Sequence, residues 1–247
     1  MKLENKIALV TGGASGLGRT ITKLLLNSKT KVAVLDKNKK ALEDLNDHSN
    51  LLKITCDITN EKMVSKAIEK IKSNFSKIDI LINNAGLLYN EPLVNMMSVQ
   101  RRHSLSNWQK IIDVNLTGPF VVSTYVAELM VMNRVRGIII NISSISAKGN
   151  AGQTAYSASK AGLEAMTKVW AKELGIFGIR CISIAPGFMN TNSTHNSVTN
   201  EVLNHVKEQT PLKKLGSSDN IAQAIKFVIK NEYINAKTLN IDGGLVI

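Results

Sequence analysis

The sequence predicts an α/β domain built on a parallel, doubly wound sheet, and three observations carry that prediction. Short apolar runs alternate along the chain with longer stretches of helical periodicity. The first run passes directly into a glycine-rich turn and then a helix. No linker, compositional break, internal repeat or low-complexity tract divides the 247 residues, so a single domain over 1–247 is expected.

Residues 6–10 read as the first strand, entering Thr11-Gly12-Gly13-Ala14-Ser15-Gly16-Leu17-Gly18. The helix that follows carries Leu17, Ile21, Leu24 and Leu25 on one face. Strand, glycine turn and helix together form a diphosphate cradle: glycines let the backbone approach, and the helix N-terminus supplies N–H donors. A second strand, 31–35, ends at Asp36, eighteen residues past Gly18. A carboxylate there accepts both ribose hydroxyls of NAD and repels the 2′-phosphate of NADP. Lys37, Lys39 and Lys40 soften that preference, and NADP stays possible.

The third strand, 51–56, closes with Asp57 and Ile58, placed for an adenine ring. A lysine-rich helix over 61–73 leads to a fourth strand, 78–82, and to Asn83-Asn84-Ala85-Gly86. Residues 87–107 are irregular and border a substrate pocket. A long helix over 107–133 is expected to kink at Gly118-Pro119 beside Asn115, where a water can be anchored.

The fifth strand, 138–142, ends in Ser143 and Ser144, and the next helix, 154–176, carries Tyr156 and Lys160. Spacing of four puts phenol and ammonium on one helix face. A nearby cation favours the phenolate, and a serine at the strand mouth can hydrogen-bond the oxygen being protonated. The set suits proton transfer at a carbonyl or alcohol; no histidine lies nearby in sequence to make a serine nucleophilic. A second Tyr-x-x-x-Lys, Tyr233 and Lys237, lacks the upstream serines. The 154–176 helix is apolar on most faces, which points to a subunit interface. A sixth strand, 179–185, meets Pro186-Gly187; residues 188–200 read as a lid, 220–228 as an amphipathic segment, and 238–241 as the last strand.

Composition narrows the classes. Hydrophobic content of 44%, charged content of 20% and near-zero mean hydropathy describe a globular chain. No apolar run reads as a membrane span, and strand-like sequence from Ile7 leaves no room for a signal peptide, so a cytoplasmic location is expected. Cys56 and Cys181 read as buried, reduced thiols, and four histidines without ligand spacing imply no metal. The net charge of +12 invites a nucleic-acid reading, but 4% aromatics make no stacking platform. An acidic partner or an anionic CoA or phosphopantetheine substrate fits the charge.

These motifs, with Thr191 after Pro186-Gly187, resemble the short-chain dehydrogenase/reductase family over essentially the whole chain. The resemblance implies a Rossmann-type sheet, a homotetramer or homodimer built on the long helices, and hydride transfer between nicotinamide and a carbonyl carbon. It makes Tyr156 the acid/base, Lys160 its partner and the holder of the nicotinamide ribose, and Asn115 the residue that orders a relay water. Gly12, Ser15, Gly16, Leu17, Gly18, Asp36, Asp57, Ile58, Asn84, Ala85, Gly86, Pro186, Gly187 and Thr191 would lie along NAD. Counting back thirteen residues from Tyr156 selects Ser143, whereas the Asn-Ile-Ser-Ser pattern selects Ser144, which is preferred here. Within the family the chain is most similar to 3-oxoacyl-thioester reductases and 3-hydroxyacyl-CoA dehydrogenases, implying an acyl-CoA or acyl carrier protein thioester. The alternatives are an NAD-dependent dehydrogenase of a sugar, polyol or other secondary alcohol, and a non-catalytic NAD-binding protein.

Overall fold

The computed structural model describes residues 1–97, 99–191 and 199–246. Its first half runs β1 (Ile7–Thr11), α1 (Gly16–Asn27), β2 (Lys31–Asp36), α2 (Lys39–Glu43), β3 (Leu51–Thr55), α3 (Glu61–Phe75) and β4 (Ile80–Asn83). The second half runs α4 (Leu105–Ile112), α5 (Gly118–Met132), β5 (Ile138–Ile142), α6 (Thr154–Glu173), β6 (Arg180–Pro186), α7 (Asn200–Gln209), α8 (Ser218–Lys230) and β7 (Thr238–Ile241). All seven strands pair in parallel in the order β3-β2-β1-β4-β5-β6-β7.

Side-chain alternation along the strands builds two cores. Ala8, Val10, Ile80, Ile82, Ile138 and Ile140 face α1 and α8, meeting Ile21, Leu25, Ile221 and Ile225. Leu9, Leu81 and Ile139 face the other way, onto Ile68 and Ile71 of α3 and Val122, Val126 and Met130 of α5. The sheet is therefore covered on both faces, which is why its strands read as near-continuous apolar runs.

A buried polar ladder crosses the second core. Asn83 Nδ2 donates to Ser123 Oγ (2.9 Å) and to Asn141 Oδ1 (2.8 Å). Asn141 Nδ2 donates to Thr167 Oγ1 (2.8 Å), which lies 2.7 Å from Ser183 Oγ. The ladder joins α5, β4, β5, α6 and β6 just below the strand ends.

The long helix begins at Leu105, and its irregularity is a π-turn at Asp113–Thr117 that contains Asn115 and ends just before Gly118-Pro119. The helix runs on through Pro119, whose missing N–H leaves a carbonyl one turn back, in the π-turn, without that helical partner. Leu105–Met132 is also the one described helix long and apolar enough to cross a membrane by length and composition, a match the sequence reading did not make. Its Ile111, Asn115, Val122, Val126 and Met130 are buried within the fold, as in a core helix. Helix α7 was not anticipated. Most of the expected lid, 192–198, lies outside the described residues.

Candidate active site

Strand order reverses between β1 and β4, and the crevice beyond the C-terminal ends of these strands opens into a cavity of about 1390 Å³. Its first half is a dinucleotide cradle. Ser15 makes no side-chain cap on α1, so the first-turn amides of that helix are left to a ligand. Gly16 has φ +50°, and an added Cβ there would meet no atom within 4 Å, which leaves open space over the turn. Gly18 is the opposite case: a Cβ would lie 2.0 Å from the Gly12 carbonyl oxygen. The turn is thus packed tightly below and open above, as a bound diphosphate requires.

Asp36, at the tip of β2, accepts from Ala14 N (3.2 Å) and Asn38 N (3.0 Å), leaving carboxylate lone pairs for ribose hydroxyls. Burial pushes the Asp57 carboxyl up, but the Thr59 N–H and hydroxyl and the Lys37 charge hold it below the usual range. Asp57, Ile58, Ala85 and Gly86 line the same half of the cavity. Asn84 plays a structural part. Its Nδ2 donates to Thr11 O (3.0 Å) and Gly12 O (3.1 Å), stapling the β1 turn to the end of β4. Thr11, not singled out in the sequence, completes the staple by accepting from Asn84 N and Ala85 N. Pro186, Gly187 and Thr191 close the far wall.

Beyond the cradle, Tyr156 reaches the cavity from α6, and the neighbouring Ser144 hydroxyl favours its phenolate. Ser143 turns elsewhere, donating to Glu164 Oε1 (2.8 Å). Of the two serines the sequence left open, Ser144 is the one beside the phenol. Lys160, 4% exposed, donates from Nζ to Ile142 O (2.7 Å) and lies 5.6 Å from the Tyr156 ring centroid. Burial lowers the lysine from 10.5 to about 8.

The tyrosine departs from expectation. Burial raises its pKa, and the Ser144 hydroxyl works in the other direction. Asn115 is fully buried in the π-turn, its amide paired with both backbone groups of Leu87 (2.8 Å each) and, at 3.3 Å, with Ser159. It fixes the start of the 87–107 segment. Leu87, Leu88, Phe188 and Met189 supply an apolar wall, and His205 and Val206 of α7 line the cavity as well. The second Tyr-x-x-x-Lys is remote from all of this, with Tyr233 fully exposed.

The chain matches the short chain dehydrogenase family over residues 6–202. It is 36% identical to a 3-oxoacyl-(acyl-carrier-protein) reductase FabG of Thermotoga maritima, with 100% of both chains aligned. It is 34% identical to a human (3R)-3-hydroxyacyl-CoA dehydrogenase, across 99% of this chain and 97% of that one. The crystal structure of a Brucella melitensis 3-ketoacyl-(acyl-carrier-protein) reductase complexed with NADH superposes with a TM-score of 0.89 at 26% identity, covering 99% of this chain and 100% of that one. The protein belongs to the short-chain dehydrogenase/reductase family. It is an NAD(P)-dependent oxidoreductase that acts on a CH–OH/C=O pair.

Proposed function

We propose that the protein interconverts 3-oxoacyl and 3-hydroxyacyl thioesters with NAD(H), using Tyr156 as acid/base. The observation that carries the reading is that Ser144, Tyr156 and Lys160 meet on one cavity walled by Leu87, Leu88, Phe188 and Met189. Nicotinamide dinucleotide, when bound, supplies or accepts the hydride at the substrate carbon. Ser144 holds the substrate oxygen and Tyr156 gives it the proton, or takes it in the oxidative direction. Lys160 holds the nicotinamide ribose and passes a proton on toward a water ordered at Asn115. The Asp36 carboxylate supports NAD over NADP, because a 2′-phosphate would meet its negative charge.

The acyl group arrives on CoA or on an acyl carrier protein, and the net charge of +12 suits either anionic carrier. Assembly as a homotetramer or homodimer belongs to the same reading. Phe120 and Met132 on α5 and Val169 on α6 are exposed by about half or more, and α5 is apolar around most of its circumference. A cytoplasmic location goes with it, and neither membrane nor nucleic acid enters.

The test is the initial rate of NADH oxidation with acetoacetyl-CoA, run beside NADPH and a Tyr156→Phe control. A rate with NADH that disappears in the control supports substrate class, cofactor and proton donor together. A tyrosine-dependent rate with NADPH alone overturns the Asp36 argument. NADH binding without turnover overturns the thioester assignment and favours a sugar, polyol or other secondary alcohol.

A further inference from the structure

We infer that Glu91 is a positioning residue: it ties the excursion between β4 and α4 to the loop leading into Tyr156, and so sets the walls between which substrate is gripped. The inference rests on the oxidoreductase reading above and concerns how that site holds its substrate.

The excursion contains a hairpin. Asn95 N donates to Arg101 O (2.7 Å), His103 N donates to Leu93 O (3.0 Å), and Val94 pairs antiparallel with Arg102. Its outer part carries exposed Met96 and Met97, whereas its base is a polar knot centred on Glu91. Glu91 N donates to Gly152 O (2.7 Å), and Glu91 pairs in parallel with Gln153. The Glu91 carboxylate accepts at Oε2 from Ser104 N (3.2 Å) and Asn107 Nδ2 (3.3 Å), at the start of α4. The same oxygen lies 3.7 Å from His103 Nε2, while His103 Nδ1 lies 3.0 Å from Glu91 O. Beside it, Asn90 Oδ1 accepts from Gln153 Nε2 (2.9 Å).

Residue 91 therefore joins three pieces of chain: its carboxylate holds the hairpin base to the first turn of α4, and its backbone N–H holds the 149–153 loop. The side chains of Glu91 and His103 are only 19% and 10% exposed, so solvent screens their contact far less than it would a surface pair. The joined pieces are opposite walls of one cavity. Leu87, Leu88 and Asn90 line it from the hairpin side, and Asn150 and Gln153 from the other. Tyr156 follows Gln153 by three residues. The contacts of Ser144, Lys160 and the glycine cradle do not pass through Glu91. Loss of the carboxylate would free the hairpin base from α4 and loosen the backbone that holds Gly152, letting the substrate walls part while the reacting groups and the dinucleotide site stay in place.

The test combines hydrogen–deuterium exchange of the full chain without ligands and steady-state kinetics with acetoacetyl-CoA. In the wild type, the amides of Glu91 and His103 are expected to be protected while that of Met96, at the exposed tip, exchanges freely. Glu91→Ala should weaken that protection and speed exchange over 150–153. It should also raise KM about tenfold with kcat within about twofold and NADH affinity unchanged. Glu91→Gln, whose amide oxygen still accepts from Ser104, should fall between the two. Met97→Ser, on the same hairpin outside the knot, should leave KM unchanged. A wild-type Glu91 amide that exchanges as fast as the tip overturns the inference. So does a Glu91→Ala protein with wild-type KM and exchange, or one that loses kcat at constant KM. If Glu91→Ala does not fold, the wild-type exchange and Glu91→Gln decide. If the wild type does not turn over acetoacetyl-CoA, the thioester reading fails and the exchange arm still judges the knot.

Discussion

Replacing Lys160 by methionine should abolish activity with cofactor, yet make the cofactor-free protein more stable at neutral pH. The ammonium is 4% exposed, and burial lowers it from 10.5 to about 8, a gap equivalent to about 3 kcal/mol of unfavourable charging in the folded state. Methionine matches the chain length and removes the charge. It also removes the Nζ–Ile142 O bond, leaving a buried carbonyl unpaired at a cost of about 1 kcal/mol. The net expectation at pH 7 is a gain of about 2 kcal/mol, or about 4–8 °C in Tm. The sign with pH follows from proton counting. Between about 8 and 10.5 the unfolded chain keeps a proton on Lys160 that the folded protein has released, so wild-type stability rises with pH across that window. The advantage of the variant must therefore be full below pH 8 and gone by pH 10.5. Urea unfolding of both proteins without cofactor, at pH 7 and pH 10, measures the difference and cancels every other titrating group. A difference independent of pH, or a variant less stable at pH 7, would refute the reasoning.

Three further outcomes can be checked. Ser144→Ala should lower kcat about 10²-fold or more, whereas Ser143→Ala should mainly cost about 1 kcal/mol in urea unfolding through its lost bond to Glu164; equal kcat losses would reverse the assignment. Gly18→Ala puts a Cβ 2.0 Å from Gly12 O and 2.6 Å from Asn84 Nδ2, so NADH affinity measured by fluorescence titration should fall at least about tenfold. Burial, helped by the nearby charges of Asp57 and Glu173, raises Cys56 to about 11 and Cys181 to about 12, so a thiol reagent at pH 8 should label neither until the protein is unfolded.

What could be read in the sequence was what local chemistry determines. The strands 138–142 and 238–241 were placed at their observed ends, because their apolar runs stop at residues that begin turns. The fourth strand was begun two residues early: Ile78 is fully buried, but the next residue, Asp79, is spent on Ile7 N and two lysines before pairing starts at Ile80. Helix α7 escaped notice because its composition is polar and Leu203 is its only core residue among the described side chains. Thr199, capping Val202 N, with Glu201 in the first turn, was the available signal. What separates the two serines in the fold is Glu164, which accepts from the Ser143 hydroxyl and lies twenty-one residues away in sequence. The knot at Glu91 was hidden for the same reason, since its partners Gly152 and Gln153 come some sixty residues later.

The buried ladder from Ser123 through Asn83, Asn141 and Thr167 to Ser183 also bears on how this fold can be altered. Each rung pairs with its neighbour in a buried core, so substituting any one member strands the next, while substituting all of them together with apolar groups need not. The effects of single changes along it should therefore be strongly non-additive. Anyone recombining segments between this chain and a relative should move β4, β5, β6 and the facing turns of α5 and α6 as one cassette. A crossover drawn between Asn83 and Ser183 would separate residues that have to be inherited together.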